Sequence, residues 1–142
     1  MRAHPHLRGV AAIEFAILLI PLVIMTFGMT ELGRAFYVYN ELVKTTRDAS
    51  RYLSMQSSGA GETEARCLVL YGKTVCTGTP LIPDLTTEMI DIEYESAVPT
   101  GLGSVNLVRV TITGYPFTSI VPWVIQDFIF GPISCTMRQG GS

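Results

Sequence analysis

The fifteen residues from Phe15 to Met29, FAILLIPLVIMTFGM, carry no charge, and this run constrains the chain more than any other feature. Extended to Val10–Thr30 it is 21 residues long with one charge, Glu14. As a helix rising about 1.5 Å per residue it would measure about 30 Å, the thickness of a bilayer core. It lacks the polar stripe that a helix on a soluble core shows. No small-x-small cleavage site follows it closely, as one would after a secretory signal. Pro21 would kink a helix in water, but a membrane helix tolerates proline because neighbours satisfy the freed carbonyl. The run therefore predicts one transmembrane segment, residues 10–31.

The flanks orient it. Arg2 and Arg8, with His4 and His6 between them, precede the run, and no acidic residue lies before Glu14. The positive-inside bias places this short basic end in the cytoplasm. Glu31 and Arg34 follow the run and roughly cancel. The remaining residues are thus expected on the far side of the membrane, outside the cytoplasm. Charged residues make up only 15% of the chain, against a typical value of about 25%, while 48% is hydrophobic. That apolar mass excludes a disordered acidic or basic tail. A formal net charge of −2 leaves no electrostatic footprint for nucleic acid.

Glu14 is the anomaly. A carboxylate near the start of an apolar span costs a few kcal/mol and is a functional candidate by default. Five residues earlier, Gly9 removes side-chain bulk where a protease must grip an extended backbone. Cleavage after Gly9 would free an α-amino group on Val10 and make Glu14 the fifth residue, followed by Phe15. One subunit's Glu14 could then pair with a neighbour's terminal ammonium inside an apolar bundle, where a pair is far less costly than a lone charge. Such pairing would set the axial register between subunits.

These residues carry a resemblance. RGVAAIEFAILLIPLVIMTFGMTELGRAFYVYNELVKTTRDASRYLS, residues 8–54, resembles the N-terminal region of TadE-like minor pseudopilins, in the Tad (tight adherence, Flp pilus) branch of type IV pilus systems. The shared features are the Gly9…Glu14-Phe15 junction, the apolar span, the Glu31-x-x-Arg34 step and the YVYN that follows. Looser similarity continues through ARCLVLYG, GTPLIPDLT and VRVTIT. The resemblance implies that a prepilin peptidase removes the leader, residues 1–9. It implies partners as well: other minor pseudopilins, the major pilin, and an inner-membrane assembly platform with its ATPase. The subunit would leave the lipid bilayer to start or cap a thin adhesive pilus. The family is not enzymatic. Its pattern does not require cysteines, so their role here is not inherited.

Below the span, Leu32, Phe36, Tyr39, Leu42, Val43, Thr46, Ala49 and Leu53 recur at three- and four-residue steps, predicting an amphipathic helix over 32–56. A small α+β periplasmic head is expected over 57–138. It begins with the loop 57–62 and a short second helix, Glu62 to Tyr71, stopped by Gly72. Residues 77–86 are an irregular connection paced by Pro80 and Pro83. Three strands follow: Met89–Glu95 with Ile90, Ile92 and Tyr94 inward, Val105–Thr113 with Val108, Val110 and Ile112 inward, and Ile133–Arg138 with Ile133, Cys135 and Met137 on one face. A turn over 98–104 joins the first two, and Arg109 is expected opposite Asp91 or Glu93. Between the second and third strands, Pro116–Phe130 reads as core packing with a short helix, or as a sticky surface for a partner pilin centred on Trp123 and Phe128. Residues 139–142 read as a flexible tail.

Three cysteines are an odd count. Oxidation is permitted outside the inner membrane. The reading favours a Cys67–Cys76 bridge, nine residues apart, with Cys135 a buried thiol; the rival joins Cys76 to Cys135. A metal site is not expected, since there is no C-x-x-C pair and no histidine after His6. No D-x-D-x-D-G loop provides for calcium, and GLGS lacks the third glycine of a dinucleotide site. Once the leader is lost, the chain has no histidine for a Ser-His-Asp or Cys-His system. Glu62/Glu64 and Asp91/Glu93/Glu95 read as solvated faces. No catalytic residue and no cofactor is expected. The leading expectation is a processed pilin-like assembly subunit, carried within the inner membrane and incorporated into an extracellular pilus. The alternative is an uncleaved, single-pass, membrane-anchored binding or scaffold domain.

Overall fold

The computed structural model describes residues 7–140. One helix, α1, runs unbroken from Leu7 to Ser54, 48 residues or about 72 Å of rise. It passes through Pro21 without ending. From Gly9 to Phe27 every residue is exposed, so the apolar run is not the core helix of a soluble domain. The run is long and apolar enough to cross a membrane.

The lower half of α1 carries the head. Leu42, Ala49 and Leu53 are fully buried, as are the small polar residues Thr46 and Ser50. The packing face differs from the expected stripe. Leu32, Phe36 and Tyr39 are exposed, and Ala35, Val38 and Thr45 take their place toward the head. The reason is steric: a sheet approaches a helix closely over small residues, and a pattern keyed to large apolar ones overlooks them. The hydroxyls of Thr45 and Thr46 donate to the Leu42 carbonyl, so burial leaves neither unsatisfied. The Ser50 hydroxyl lies within reach of the Thr46 and Cys135 carbonyls, at 2.9 and 3.0 Å.

The short helix α2 spans Glu62–Tyr71, as expected, and packs on α1 through Ala65, Val69 and Leu70. Gly72 ends it in the left-handed region at φ 67° and donates its N–H to Leu68. A Cβ there would come within 2.9 Å of Leu81, so both conformation and packing require glycine.

Three strands form an antiparallel sheet in the order β1-β2-β5: β1 Ile90–Pro99, β2 Ser104–Ile112 and β5 Ile133–Arg138. Val108, Val110 and Ile112 face the core, and Glu93 sits opposite Arg109. β1 continues four residues beyond the predicted end. A bulge between Glu95 and Val98, with Ala97 at φ 55°, breaks the alternation that marks a strand in sequence. The reversal is confined to 100–103.

Between β2 and β5 two strands of two residues each, β3 Pro116–Phe117 and β4 Phe128–Ile129, pair antiparallel in place of the short helix expected there. Only one turn-like set of bonds occurs, from the N–H groups of Val124 and Ile125 to the Val121 carbonyl. Pro122 inside it supplies no N–H to extend a ladder.

The tail also differs from expectation. Gln139 is buried, with its side-chain amide 3.4 Å from the carbonyls of Leu53 and Gln56, and Gly140 donates its N–H to Ser54. The last carbonyls of a helix have no partner within it, and the chain's end fills that role here. Residues 141–142, and 1–6 of the expected leader, lie outside the described residues.

Candidate functional site

The candidate site is the length of α1 outside the head, together with the part of the head that touches it. Gly9 and Val10 lie in the opening turns of α1. The expected extended backbone is therefore absent from this conformation, and a protease would have to unwind these turns, which start with unpaired N–H groups. Glu14 follows one turn later on the same face as Val10, with Phe15 beside it. Nothing lies within 4 Å of a Cβ placed on Gly9. Glu14 has no ion-pair partner among the described residues.

At the other end of the span the structure assembles a cluster that sequence reasoning passed over. Glu31 is 3% exposed. Its Oε1 accepts from Arg34 Nη2 at 2.7 Å and from the Ile120 backbone N–H at 2.9 Å. Arg34 also donates to the Thr118 carbonyl and lies over the Phe117 ring, 4.2 Å from its centroid. Asp127 accepts the Ser119 N–H at 2.7 Å, and the Ser119 hydroxyl accepts that of Val121. Two helix residues one turn apart thus hold the segment between β3 and β4 against the end of the span. The signal was in the sequence, since Glu31 and Arg34 at i,i+3 share a face. Neither the balance of charge nor the Glu31-x-x-Arg34 step of the resemblance announces the contact with the head.

Behind this cluster the aromatic rings gather, mostly tilted or edge-on. Phe117 and Phe128 lie 5.0 Å apart, Phe128 and Phe130 5.2 Å, and Tyr39 and Phe130 5.8 Å. Tyr115 joins at 6.0 Å from Phe130 and donates its hydroxyl to the Pro83 carbonyl. Burial, then the nearby Asp84 carboxylate, pushes the Tyr115 phenol above its ordinary pKa. Phe128 therefore belongs to this aromatic cluster, at its open edge, with 39% of its surface exposed. Trp123 does not: it is 67% exposed, touching Phe27 of the span edge-on at 6.4 Å. The two residues expected to share a partner surface have different environments.

A disulfide joins Cys67 of α2 to Cys76, with Cα atoms 4.8 Å apart, which excludes the Cys76–Cys135 pairing. Cys135 is free and half-buried on β5. Among the described residues no group of three His, Cys, Asp or Glu side chains could hold a metal ion.

The fold and the site define a class: an α+β protein whose N-terminal helix is long and apolar enough to cross a membrane once and continues into the spine of a small head. Residues 9–51 match the family model described as TadE-like protein, under a third of the chain's length. The match covers the span, Glu14 and the Glu31–Arg34 pair. Over that N-terminal stretch the chain is similar to the TadE-like family. No curated protein and no solved structure matches the chain.

Proposed function

We propose that this chain is a minor pseudopilin of a Tad-type pilus or a related secretion system, processed after Gly9 and assembled through α1. The supporting observation is Glu14. It is the one carboxylate of the apolar stretch from Gly9 to Phe27, every residue of which is exposed, one turn from Val10 and with no ion-pair partner among the described residues. A charge so placed is costly in lipid and becomes favourable when a second chain supplies an ammonium. Cleavage at Gly9 creates that ammonium on every subunit. The unbroken 48-residue α1 supplies a stiff spine along which copies and partner pilins bundle, with the head on the periplasmic side. Prepilin peptidase, the major pilin, the other minor pseudopilins and the platform with its ATPase are the partners this role requires.

One observation favours the alternative of an uncleaved anchored domain: the Gly9–Val10 bond is helical. Mass spectrometry of the protein extracted from cells with an intact peptidase separates the two. A mature N-terminus at Val10, and its loss in Gly9→Leu, is the expected result. Retention of Met1 in the unaltered protein would establish the tethered domain instead.

A further inference from the structure

The segment between β3 and β4 fits a lipid surface. Between Tyr115 and Ile133 the only charged residue is Asp127. Ile120, Trp123 and Ile129 are each about two-thirds exposed or more, at 73%, 67% and 68%. Large apolar side chains held out of a head's own core mark an interaction surface.

Their position says what covers them. Trp123 packs on Phe27, and Val124 lies 3.5 Å from a Cβ built on Gly28. Both helix residues belong to the apolar span, two and three residues inside its end at Thr30. At 1.5 Å per residue that is about 3–5 Å below the end of the hydrocarbon-length run. Amphipathic segments lying in a membrane interface sit about 5–10 Å into the headgroup and acyl boundary, and tryptophan concentrates at that level. The exposed patch is continuous with the lipid-facing surface of α1.

Part of the backbone, five N–H groups of the segment, is prepared for the same setting. An N–H carried toward hydrocarbon must already be bonded. Ser119 donates to Asp127, Ile120 to Glu31 and Val121 to the Ser119 hydroxyl; Val124 and Ile125 donate to the Val121 carbonyl, and Pro122 has no N–H. The Glu31–Arg34 pair holds the loop at this depth from the helix side.

We propose that residues 118–129 form a membrane foot, seating Ile120, Trp123 and Ile129 in the lipid interface on the head's side of the bilayer. The foot sets the height and tilt of the head above the membrane. It depends on α1 spanning the bilayer and not on processing at Gly9.

Trp123 is the chain's only tryptophan and reports on itself. The full chain is placed in vesicles of phosphatidylglycerol and phosphatidylcholine, the latter brominated either near the headgroup or near the acyl terminus. Severalfold stronger quenching of Trp123 by the shallow bromines than by the deep ones, with blue-shifted emission, is expected. The double variant Ile120→Asp, Ile129→Asp should abolish that quenching and give water-like emission while the Cys67–Cys76 bridge remains oxidised. Quenching that persists in this variant would show that these side chains do not seat the loop, and would overturn the assignment. So would a Trp123 that neither set of bromines quenches and a water-soluble quencher reaches freely. Shielding that appears only when a purified partner pilin is added, or only at high protein-to-lipid ratio, would reassign the surface to a protein contact.

Discussion

The Glu31 carboxylate and the Ile120 backbone N–H meet at 2.9 Å across 89 residues of chain. This bond, with the Arg34 contacts beside it, ties the head to the helix where the helix leaves its apolar run. The three-stranded sheet is held on α1 further down, by Leu42, Ala49 and Leu53. The two attachments are separate, so the upper one can be loosened without unfolding the lower.

Glu31→Gln should therefore loosen residues 118–129 selectively. The amide side chain keeps the shape but weakens the bonds from Arg34 and Ile120, which are charge-assisted in the native chain. Hydrogen exchange at Ile120 should speed up by about tenfold, the scale of one such bond. Amides of β1, β2 and β5 should exchange as before. Uniform acceleration across the sheet would mean that the loop and the sheet open together.

The core and the surface charges of the head should respond very differently. Leu53 is fully buried between α1, α2 and the sheet, and Leu53→Ala should cost about 3 kcal/mol through lost burial and the cavity left behind. Arg109 reaches Glu95 at 3.1 Å and Glu93 at 3.7 Å, but all three side chains are substantially exposed. Exposed pairs contribute little, and Arg109→Ala should change stability by less than about 0.5 kcal/mol. Urea unfolding of the two variants in the same micelles, followed by circular dichroism, checks the ordering.

The Cys67–Cys76 bridge closes a short loop around the end of α2. Loops of this length gain about 2.5 kcal/mol from restriction of the unfolded chain. Cys67→Ser, or reduction of the native protein, should lower the unfolding free energy of the head by that amount and move its midpoint down accordingly. Alkylation after denaturation should find one reactive thiol, Cys135, before reduction and three after it. Three before reduction would exclude the bridge.

What could be read from residues alone follows from what each element depends on. The span, α2 and the inward residues of β2 and β5 rest on local periodicity and on Gly72, so they were legible. The bridge was legible because a nine-residue spacing across a helix end leaves the two thiols near each other. Three features depended on tertiary partners and were not. The bulge at Ala97 is stabilised by Asn106, whose side-chain oxygen accepts the Ala97 N–H from the facing strand. The tail is fixed by carbonyls at the end of α1, which no pattern in QGGS announces. The Pro116–Phe130 segment carries enough apolar residues for a helix, but Glu31 and Arg34 hold its backbone in another shape. The part of the candidate site at Gly9 and Glu14 was visible as an anomaly of charge in an apolar run. The part at Glu31 was hidden because a carboxylate beside an arginine at a membrane edge reads as solvated.

Glu14 provides the sharpest test of how subunits join. In lipid its carboxylate sits near the start of the span, where it reaches the headgroups and its cost is moderate. In a bundle of α1 helices that escape is closed, and only a positive partner makes burial tolerable. On the proposed function, the ammonium of a processed Val10 would be such a partner, on a neighbour displaced along the axis. Glu14→Ala removes the charge and its cost together. It should leave membrane insertion and cleavage after Gly9 unchanged, because neither needs the pair. Assembly should fall to background, because the ammonium on each neighbour is then buried alone and the axial register is lost. Glu14→Gln should behave almost as badly, retaining hydrogen bonding without charge. Glu14→Asp, one methylene shorter, should recover part of the assembly. Immunoblots of sheared surface filaments, beside mass spectrometry of the membrane pool, read both halves of the prediction. Normal filaments from processed Glu14→Ala would show that subunits find their register without this pair.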